Sequence, residues 1–223
     1  MTEDDLLSLL PERLALPRGR SALPQSVVDE SRRGRIMQAT LNEVAEVGYS
    51  SATVATIIKR ARVSRTSFYE AFADKEDAFA AAHWHASDLA VAEVWTPALA
   101  RPGIDFDGRV RHALNAYINA LEHARSFTIC FFVEIRGGGE RLATQREEIL
   151  ERHAQILHEL AKASAKADPT LCVPDHDVLR ALMGAFDELV AHEVRIQRRA
   201  DRLDLRPAVA PFATILMAVM HDT

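Results

Sequence analysis

The chain has 223 residues, 48% of them hydrophobic and few of them Gly or Pro, which excludes a disordered protein and allows a substantial buried core. Two cysteines are too few for a disulfide framework. The acidic N-terminus argues against a signal peptide, and the apolar runs are too short to span a membrane. A cytoplasmic protein is therefore expected. The net charge of −5 argues against nucleic acid, but ten basic and four acidic residues lie between Arg13 and Tyr69, as expected of a DNA-contacting segment on an anionic body.

Residues 1–25 are predicted to form an N-terminal extension. They contain the stretch "LPRGRSALPQS", in which Arg18 and Arg20 flank Gly19 and prolines stand on both sides. An extended basic arm of this kind enters the A·T-rich minor groove in some DNA-binding proteins, and a disordered tail is the alternative. Arg18 and Arg20 are therefore candidate DNA contacts.

Three helices are predicted in residues 26–73, and the β-branched alternation typical of strands is missing throughout, so the fold class is all-α. The first helix is amphipathic over residues 35–48 and ends at Gly48. A short second helix fits "TVATIIKRA" with Thr53 as its N-cap, and Ser64 caps a third helix over residues 65–72.

The third helix has one apolar face and one polar face. Phe68 and Phe72 lie one turn apart and are expected to anchor it in the core, while Thr66, Tyr69 and Glu70 lie on the opposite face. A helix, a short turn and a second helix with an exposed polar face are the spacing of a helix-turn-helix unit.

The stretch "TVATIIKRARVSRTSFYEAFADKEDAF" resembles the DNA-binding signature of the tetracycline-repressor (TetR) family of bacterial transcriptional regulators. The shared pattern is a Thr-Val pair, a short apolar helix, a Val-Ser turn, a recognition helix with an aromatic pair, and Lys-Glu at the start of the next helix. The resemblance covers about residues 28–79, and beyond them only the length and the helical character match. It implies an N-terminal helix-turn-helix domain and a C-terminal helical domain for ligand binding and dimerisation.

Two residues depart from the family pattern. Arg62 stands where the family usually has Gly in the turn, and a left-handed residue with a Cβ costs about 1 kcal/mol relative to Gly. Either the turn is adjusted to avoid this cost, or a phosphate contact by Arg62 offsets it. Glu70 stands where a basic or neutral residue is frequent, and a carboxylate there repels phosphate unless it accepts from cytosine. The operator sequence therefore does not follow from the resemblance.

The resemblance also implies roles for individual residues. Three residues at the N-terminal turn of the recognition helix are expected to meet base edges in the major groove: Arg65, Thr66 and Ser67. Three further residues are expected to meet phosphates, two of them at helix starts: Tyr69, Thr53 and Lys75. For Tyr69, packing against the protein is the alternative.

Residues 74–223 are predicted to form the ligand-binding and dimerisation domain. A long fourth helix begins at Asp74 and runs to about Thr96, and five further helices fit "DGRVRHALNAYINALEHA", "SFTICFFVEIR", "ERLATQREEILERHAQILHELAKASAKA", "HDVLRALMGAFDELVAHEVRIQRR" and "PFATILMAVM". The last two helices are expected to pair two chains. Ordinary core is the alternative for such apolar faces, and it must hold for some of the candidate interface residues, which are Ala181, Met183, Phe186, Val190, Ile215, Met217 and Val219.

Polar residues on otherwise apolar helix faces mark candidate effector contacts. Gln145 and His153 lie on one line with Leu142 and Ile149, so they either bond to other protein groups or line a cavity. Tyr117 and Glu134 raise the same two alternatives, and Trp84 is as well explained by sealing the joint between the domains. The candidate ligand contacts are Trp84, Tyr117, Phe127, Cys130, Phe131, Glu134, Gln145, His153 and Phe186.

No catalytic residue, metal site or cofactor is predicted. "HEL" at His158 lacks the second His of a zinc helix, and "RGGGER" follows no strand. We therefore expect a homodimeric regulator, most simply a repressor, that releases a palindromic DNA operator when a small apolar molecule binds. A DNA-binding regulator or architectural protein with a filled core and no ligand is the alternative.

Overall fold

The computed structural model describes residues 25–99 and 103–221, and within these ranges every regular element is helical, which confirms the predicted all-α class. The elements in chain order are α1 Gln25–Val47, α2 Val54–Ala61, α3 Arg65–Ala71, α4 Lys75–Ala90, a π-helical turn Val91–Trp95, α5 Thr96–Leu99, α6 Phe106–His123, α7 Arg125–Phe132, a 3-10 turn Glu134–Gly137, α8 Glu140–Ala167, α9 His176–Ile196 and α10 Arg206–Met220. No helix among the described residues has the length and the apolar character needed to cross a membrane.

The first three helices are delimited by local signals in the sequence. Gly48 ends α1 with a φ of 88°, a conformation that favours glycine. Thr53 caps α2 through a capping box with Thr56, and Ser64 caps α3. The first helix begins at Gln25 rather than near residue 35. Val27 and Val28 are the only apolar side chains between Gln25 and Arg35, so no apolar stripe marks these first turns in the sequence.

The three helices share a core that continues into the rest of the molecule. Ile36, Leu41, Ile57 and Phe68 are fully buried. Helix α1 packs against α2, α4 and α7. The buried side chains of α1–α3 and of the C-terminal helices form one cluster. The helix-turn-helix unit is therefore held directly on the C-terminal helices.

The fourth helix does not run as a regular α-helix to Thr96. At Val91 it passes into the π-helical turn and then continues as α5. Within this turn the backbone N–H of Thr96 bonds to the carbonyl of Val91, and the Thr96 hydroxyl donates to the same carbonyl at 3.0 Å. A π-helical turn holds one more residue than an α-helical turn, so the side chains after it are rotated relative to those before it.

The C-terminal helices correct the predicted dimer face. Helix α9 packs against α7, α8 and α10, and helix α10 packs on α6. Met183, Phe186 and Val190 are therefore buried within the protomer, and their assignment to the surface between two chains is wrong. The exposed residues of α9 and α10 instead include Val178, Ala181, Ala185, His192, Ile196 and Ile215.

Candidate DNA-binding surface and effector cavity

The turn between α2 and α3 keeps a left-handed residue, so of the two alternatives for Arg62 the adjusted turn is excluded. Arg62 adopts φ 53° and ψ 46°, and its backbone N–H bonds to the carbonyl of Ile58. Its side chain is exposed at the start of the recognition helix. An L-residue in this conformation is strained, so Arg62 makes the fold less stable than a glycine at this position would.

The recognition helix α3 presents its predicted polar face to solvent. Arg65, Thr66 and Tyr69 are exposed, and the Arg65 guanidinium lies 5.5 Å from the centre of the Tyr69 ring. Phe68 and Phe72, on the opposite side, are 0% and 2% exposed, so the predicted core role of both is confirmed.

Other hydrogen bonds already engage several of the predicted DNA contacts. The Ser64 hydroxyl accepts from the Ser67 N–H at 3.0 Å, and the Thr53 hydroxyl accepts from the Thr56 N–H at 3.2 Å. Lys75 Nζ donates to the Tyr49 carbonyl at 2.6 Å and lies 4.3 Å from the centre of the Tyr49 ring. The ammonium of Lys75 thus fixes the loop between α1 and α2. A DNA phosphate would have to compete with the Tyr49 carbonyl for this ammonium.

The remaining predictions about this surface concern Glu70 and the basic N-terminal arm. Glu70 is exposed and forms an ion pair with Arg32 at 3.3 Å, which offsets part of its repulsion toward a phosphate. Arg18 and Arg20 lie outside the described residues.

The C-terminal helices enclose two small neighbouring cavities, which we call the outer and the inner lobe. The outer lobe, of about 30 Å³, is lined by Trp95, Val110, Leu114, His153, Ile156, Leu157, Leu160, Met183, Phe212 and Leu216. The inner lobe, of about 10 Å³, is lined by Trp95, Tyr117, Phe131, Phe132, Leu150, His153, Met183, Phe186 and Asp187. Trp95, His153 and Met183 border both lobes, so they lie where the lobes meet.

The structure brings together four of the predicted ligand contacts. Tyr117, Phe131, His153 and Phe186 line the inner lobe, and His153 also lines the outer one. Trp95 was missed at the sequence level, although it is one of only two tryptophans. Its ring lies 5.0 Å from that of Tyr117, so it forms part of the cavity wall.

The other five predicted ligand contacts line neither lobe. Trp84 is 36% exposed and borders a surface groove with Arg33 and Met37. Cys130 Sγ donates to the Leu41 carbonyl at 3.3 Å, and Gln145 donates to the Ala80 carbonyl at 2.9 Å. The last two are Phe127, which packs on Phe131, and Glu134, which bonds within the protein.

Two ionisable groups shape the electrostatics of the cavity. Burial lowers the pKa of His153 to about 4, so the imidazole is neutral near pH 7, and its Nε2 has no hydrogen-bond partner in the described part of the chain. The buried Asp187 accepts from Arg136 at 2.6 Å and from Arg146. Burial, and then the charge of Asp187, raise the pKa of Tyr117 well above its ordinary value.

A polar joint connects the helix-turn-helix unit to the C-terminal helices. The Tyr49 N–H donates to Glu134 Oε2 at 2.6 Å, and Arg198 donates to the other oxygen of that carboxylate. Since Lys75 holds the Tyr49 carbonyl, both backbone groups of Tyr49 are fixed by side chains from outside α1–α3. Glu134 begins the 3-10 turn that also carries Arg136, the partner of Asp187.

Comparisons with known proteins identify this architecture. Residues 36–82 match the family described as bacterial regulatory proteins, tetR family, so the resemblance seen in the sequence is confirmed. The helix-turn-helix unit is the DNA-binding domain of that family of transcriptional regulators. No curated protein sequence matches the chain significantly.

Solved structures extend the similarity of fold to the C-terminal helices. The fatty acid degradation regulator FadR from Bacillus halodurans has a TM-score of 0.71 and 22% identity, over 83% of this chain and 94% of that one. The transcriptional regulator FadR from Bacillus subtilis, solved in complex with stearoyl-CoA, has a TM-score of 0.68 and 19% identity, over 85% and 98%. A putative TetR-family regulator from Syntrophomonas wolfei has a TM-score of 0.70 and 14% identity, over 85% and 95%.

Proposed function

We propose that the chain is a homodimeric transcriptional repressor that binds a palindromic operator through α2 and α3 and releases it when an apolar molecule occupies the cavity. The observation that carries this proposal is the position of the cavity. Its wall includes Trp95, which ends the π-helical turn that continues α4, and α4 begins at Lys75 beside the recognition helix. One continuous helical segment thus links the effector cavity to the DNA-binding surface.

The assignment of DNA contacts rests on exposure and chemistry. Arg65 and Thr66 are exposed on the first turn of α3, where a helix entering the major groove presents its side chains to bases, and Arg pairs best with guanine. Tyr69 and Arg62 are exposed beside them and suit phosphates. Residues 26–73 are the proposed DNA-binding domain and residues 74–223 the proposed effector and dimerisation domain.

The apolar lining of the cavity defines the class of effector. Nine of the ten residues around the outer lobe are aliphatic, aromatic or methionine, so the lobe suits a hydrocarbon chain or ring. The similar fold of the Bacillus subtilis regulator, solved with stearoyl-CoA, supports an acyl-like group as one candidate. We infer that this chain responds to a molecule with an extended apolar part.

The outward face of α9 and α10 is the proposed dimer surface. Val178, Ile196 and Ile215 are 40%, 65% and 45% exposed, so the face keeps large apolar side chains in contact with solvent. An isologous pairing of these two helices with those of a second chain would bury them in a four-helix bundle. Two recognition helices would then reach two half-sites one DNA turn apart.

Reciprocal binding measurements test this proposal. An operator is first selected from random DNA, and its affinity is measured with and without an apolar effector found by thermal stabilisation. The effector's affinity is then measured with and without operator, and the two factors must be equal, because coupling between two sites is reciprocal. If no compound in a diverse apolar library stabilises the protein while the operator still binds, the ligand-free regulator is the correct alternative.

A further inference from the structure

The inner part of the cavity contains one polar atom that the fold leaves without a partner. His153 is 8% exposed, borders both lobes, and has no hydrogen bond at Nε2 within the described residues. Buried polar atoms in native proteins almost always have a partner, because leaving one unpaired costs stability. An unpaired imidazole nitrogen at the meeting point of two apolar lobes therefore indicates where a ligand's polar group bonds.

A comparison with a second buried histidine separates a binding role from a packing role. His83 also has an unpaired Nε2, but its Nδ1 lies 3.1 Å from Gln145 Nε2 and its ring stacks on Phe131 at 4.5 Å. His83 lines neither lobe, so its position is explained by packing between helices. His153, by contrast, borders both lobes, so a ligand that widens them would contact its ring.

The charges around the cavity define what kind of polar group fits. None of the described residues that line the two lobes is a lysine or an arginine, so a carboxylate placed there would be buried without a counter-ion. The carboxylate of Asp187 is already bonded by Arg136 and Arg146, so it offers little to a ligand cation. The imidazole of His153 itself is neutral near pH 7, and the nearby charge of Arg152 further opposes its protonation.

We propose that the effector is a neutral amphiphile whose uncharged hydrogen-bonding group, such as a ketone, hydroxyl or ester, bonds to His153 Nε2 between two apolar parts. This inference rests on the proposed function and specifies the effector of the same cavity. The longer apolar part occupies the outer lobe beside Leu114 and Leu160, and the shorter part meets the aromatic wall of the inner lobe at Tyr117 and Phe186. His153 selects neutral ligands over ions of equal length.

Four probes with the same ten-carbon chain test this selectivity: 2-decanone, 2-decanol, decanoate and decylammonium. Binding is followed by the fluorescence of Trp95 in a Trp84→Phe background, since the chain has two tryptophans and only Trp95 lines the cavity. The neutral probes are expected to bind at least about tenfold more tightly than the two ions, because an unpaired buried charge is costly.

Two substitutions isolate the hydrogen bond. His153→Leu keeps an apolar side chain of similar size and should weaken the ketone about tenfold, the loss of one good hydrogen bond. His153→Gln keeps a neutral hydrogen-bonding group and should stay within about threefold of the parent. Far-UV circular dichroism and operator affinity without a probe show whether each variant is folded.

The outcomes distinguish this inference from the proposed function. Two outcomes would overturn the role of His153 and leave the proposed function intact. One is equal affinity for the ions and the neutral probes, and the other is unchanged ketone affinity in a folded His153→Leu variant. If none of the four probes binds, the neutral-amphiphile inference is wrong. The proposed function fails only if the wider apolar library also leaves operator affinity and stability unchanged.

Discussion

Acid should destabilise this protein through its two buried histidines. Burial is the main cause that lowers the pKa of His83 to about 3 and of His153 to about 4, and an unfolded histidine has a pKa near 6.5. Between these values the unfolded chain binds protons that the folded chain does not. The free energy of unfolding therefore falls as the pH is lowered through 6.5 toward 4, and the stability is fully present above about pH 7.

The magnitude follows from the proton populations at pH 5. An unfolded histidine is then about 97% protonated, while a histidine with a folded pKa of about 4 is about 10% protonated. The linked loss is about 2 kcal/mol for each buried histidine, or about 4 kcal/mol for both, relative to pH 8. This figure depends little on the folded pKa values, because both groups stay largely neutral at pH 5.

Urea unfolding at pH 8 and pH 5, followed by far-UV circular dichroism at one protein concentration, measures the loss. His153→Leu should reduce the pH-dependent difference by about 2 kcal/mol, since the variant has nothing to protonate at that site. His123→Leu, at an exposed position at the end of α6 and away from the proposed dimer surface, is the matched control and should keep most of the difference. Equal losses for the parent and His153→Leu would refute the burial argument.

Four further predictions concern the DNA surface, the joint and assembly. Arg62→Gly should raise the unfolding free energy by about 0.5–1 kcal/mol by relieving left-handed strain, and should flatten the salt dependence of operator binding; a steeper dependence would contradict a phosphate contact. Arg65→Ala should cost about 1–3 kcal/mol in operator binding and relax one base preference per half-site, checked by binding to altered operators. Glu134→Gln should weaken the bonds to Tyr49 and Arg198 and reduce the coupling between effector and operator, measured by the reciprocal titrations. Ile196→Asp with Ile215→Asp should give monomers by sedimentation, and persistent dimers would move the interface elsewhere.

Local signals allowed the helix-turn-helix unit to be predicted almost completely. Thr53, Ser64 and Asp74 act as N-caps where the sequence placed them, because a side-chain oxygen needs only the backbone N–H groups of the next turn. The left-handed conformation of Arg62 was one of two alternatives that the family pattern left open. The early start of α1 was missed, because Val27 and Val28 are the only apolar side chains of its first turns and form no stripe.

The cavity and the dimer face depend on tertiary packing and were predicted only in part. Helix α9 is apolar on more than one side, so periodicity alone does not say which side meets α8 and which meets solvent. The choice of Trp84 rather than Trp95 failed for a different reason. The two tryptophans are eleven residues apart, which in an unbroken α-helix places them within about 20° of each other on one face.

The π-helical turn Val91–Trp95 separates those two positions. One residue inserted into a helix, or removed from it, turns every later side chain by about 100° relative to the earlier ones. Insertion or deletion of a single codon in this stretch would thus replace the side chain that stands at the position of Trp95 in the cavity wall. The turns of α4 from Lys75 to Ala90, and the recognition helix before them, would keep their sequence and their register.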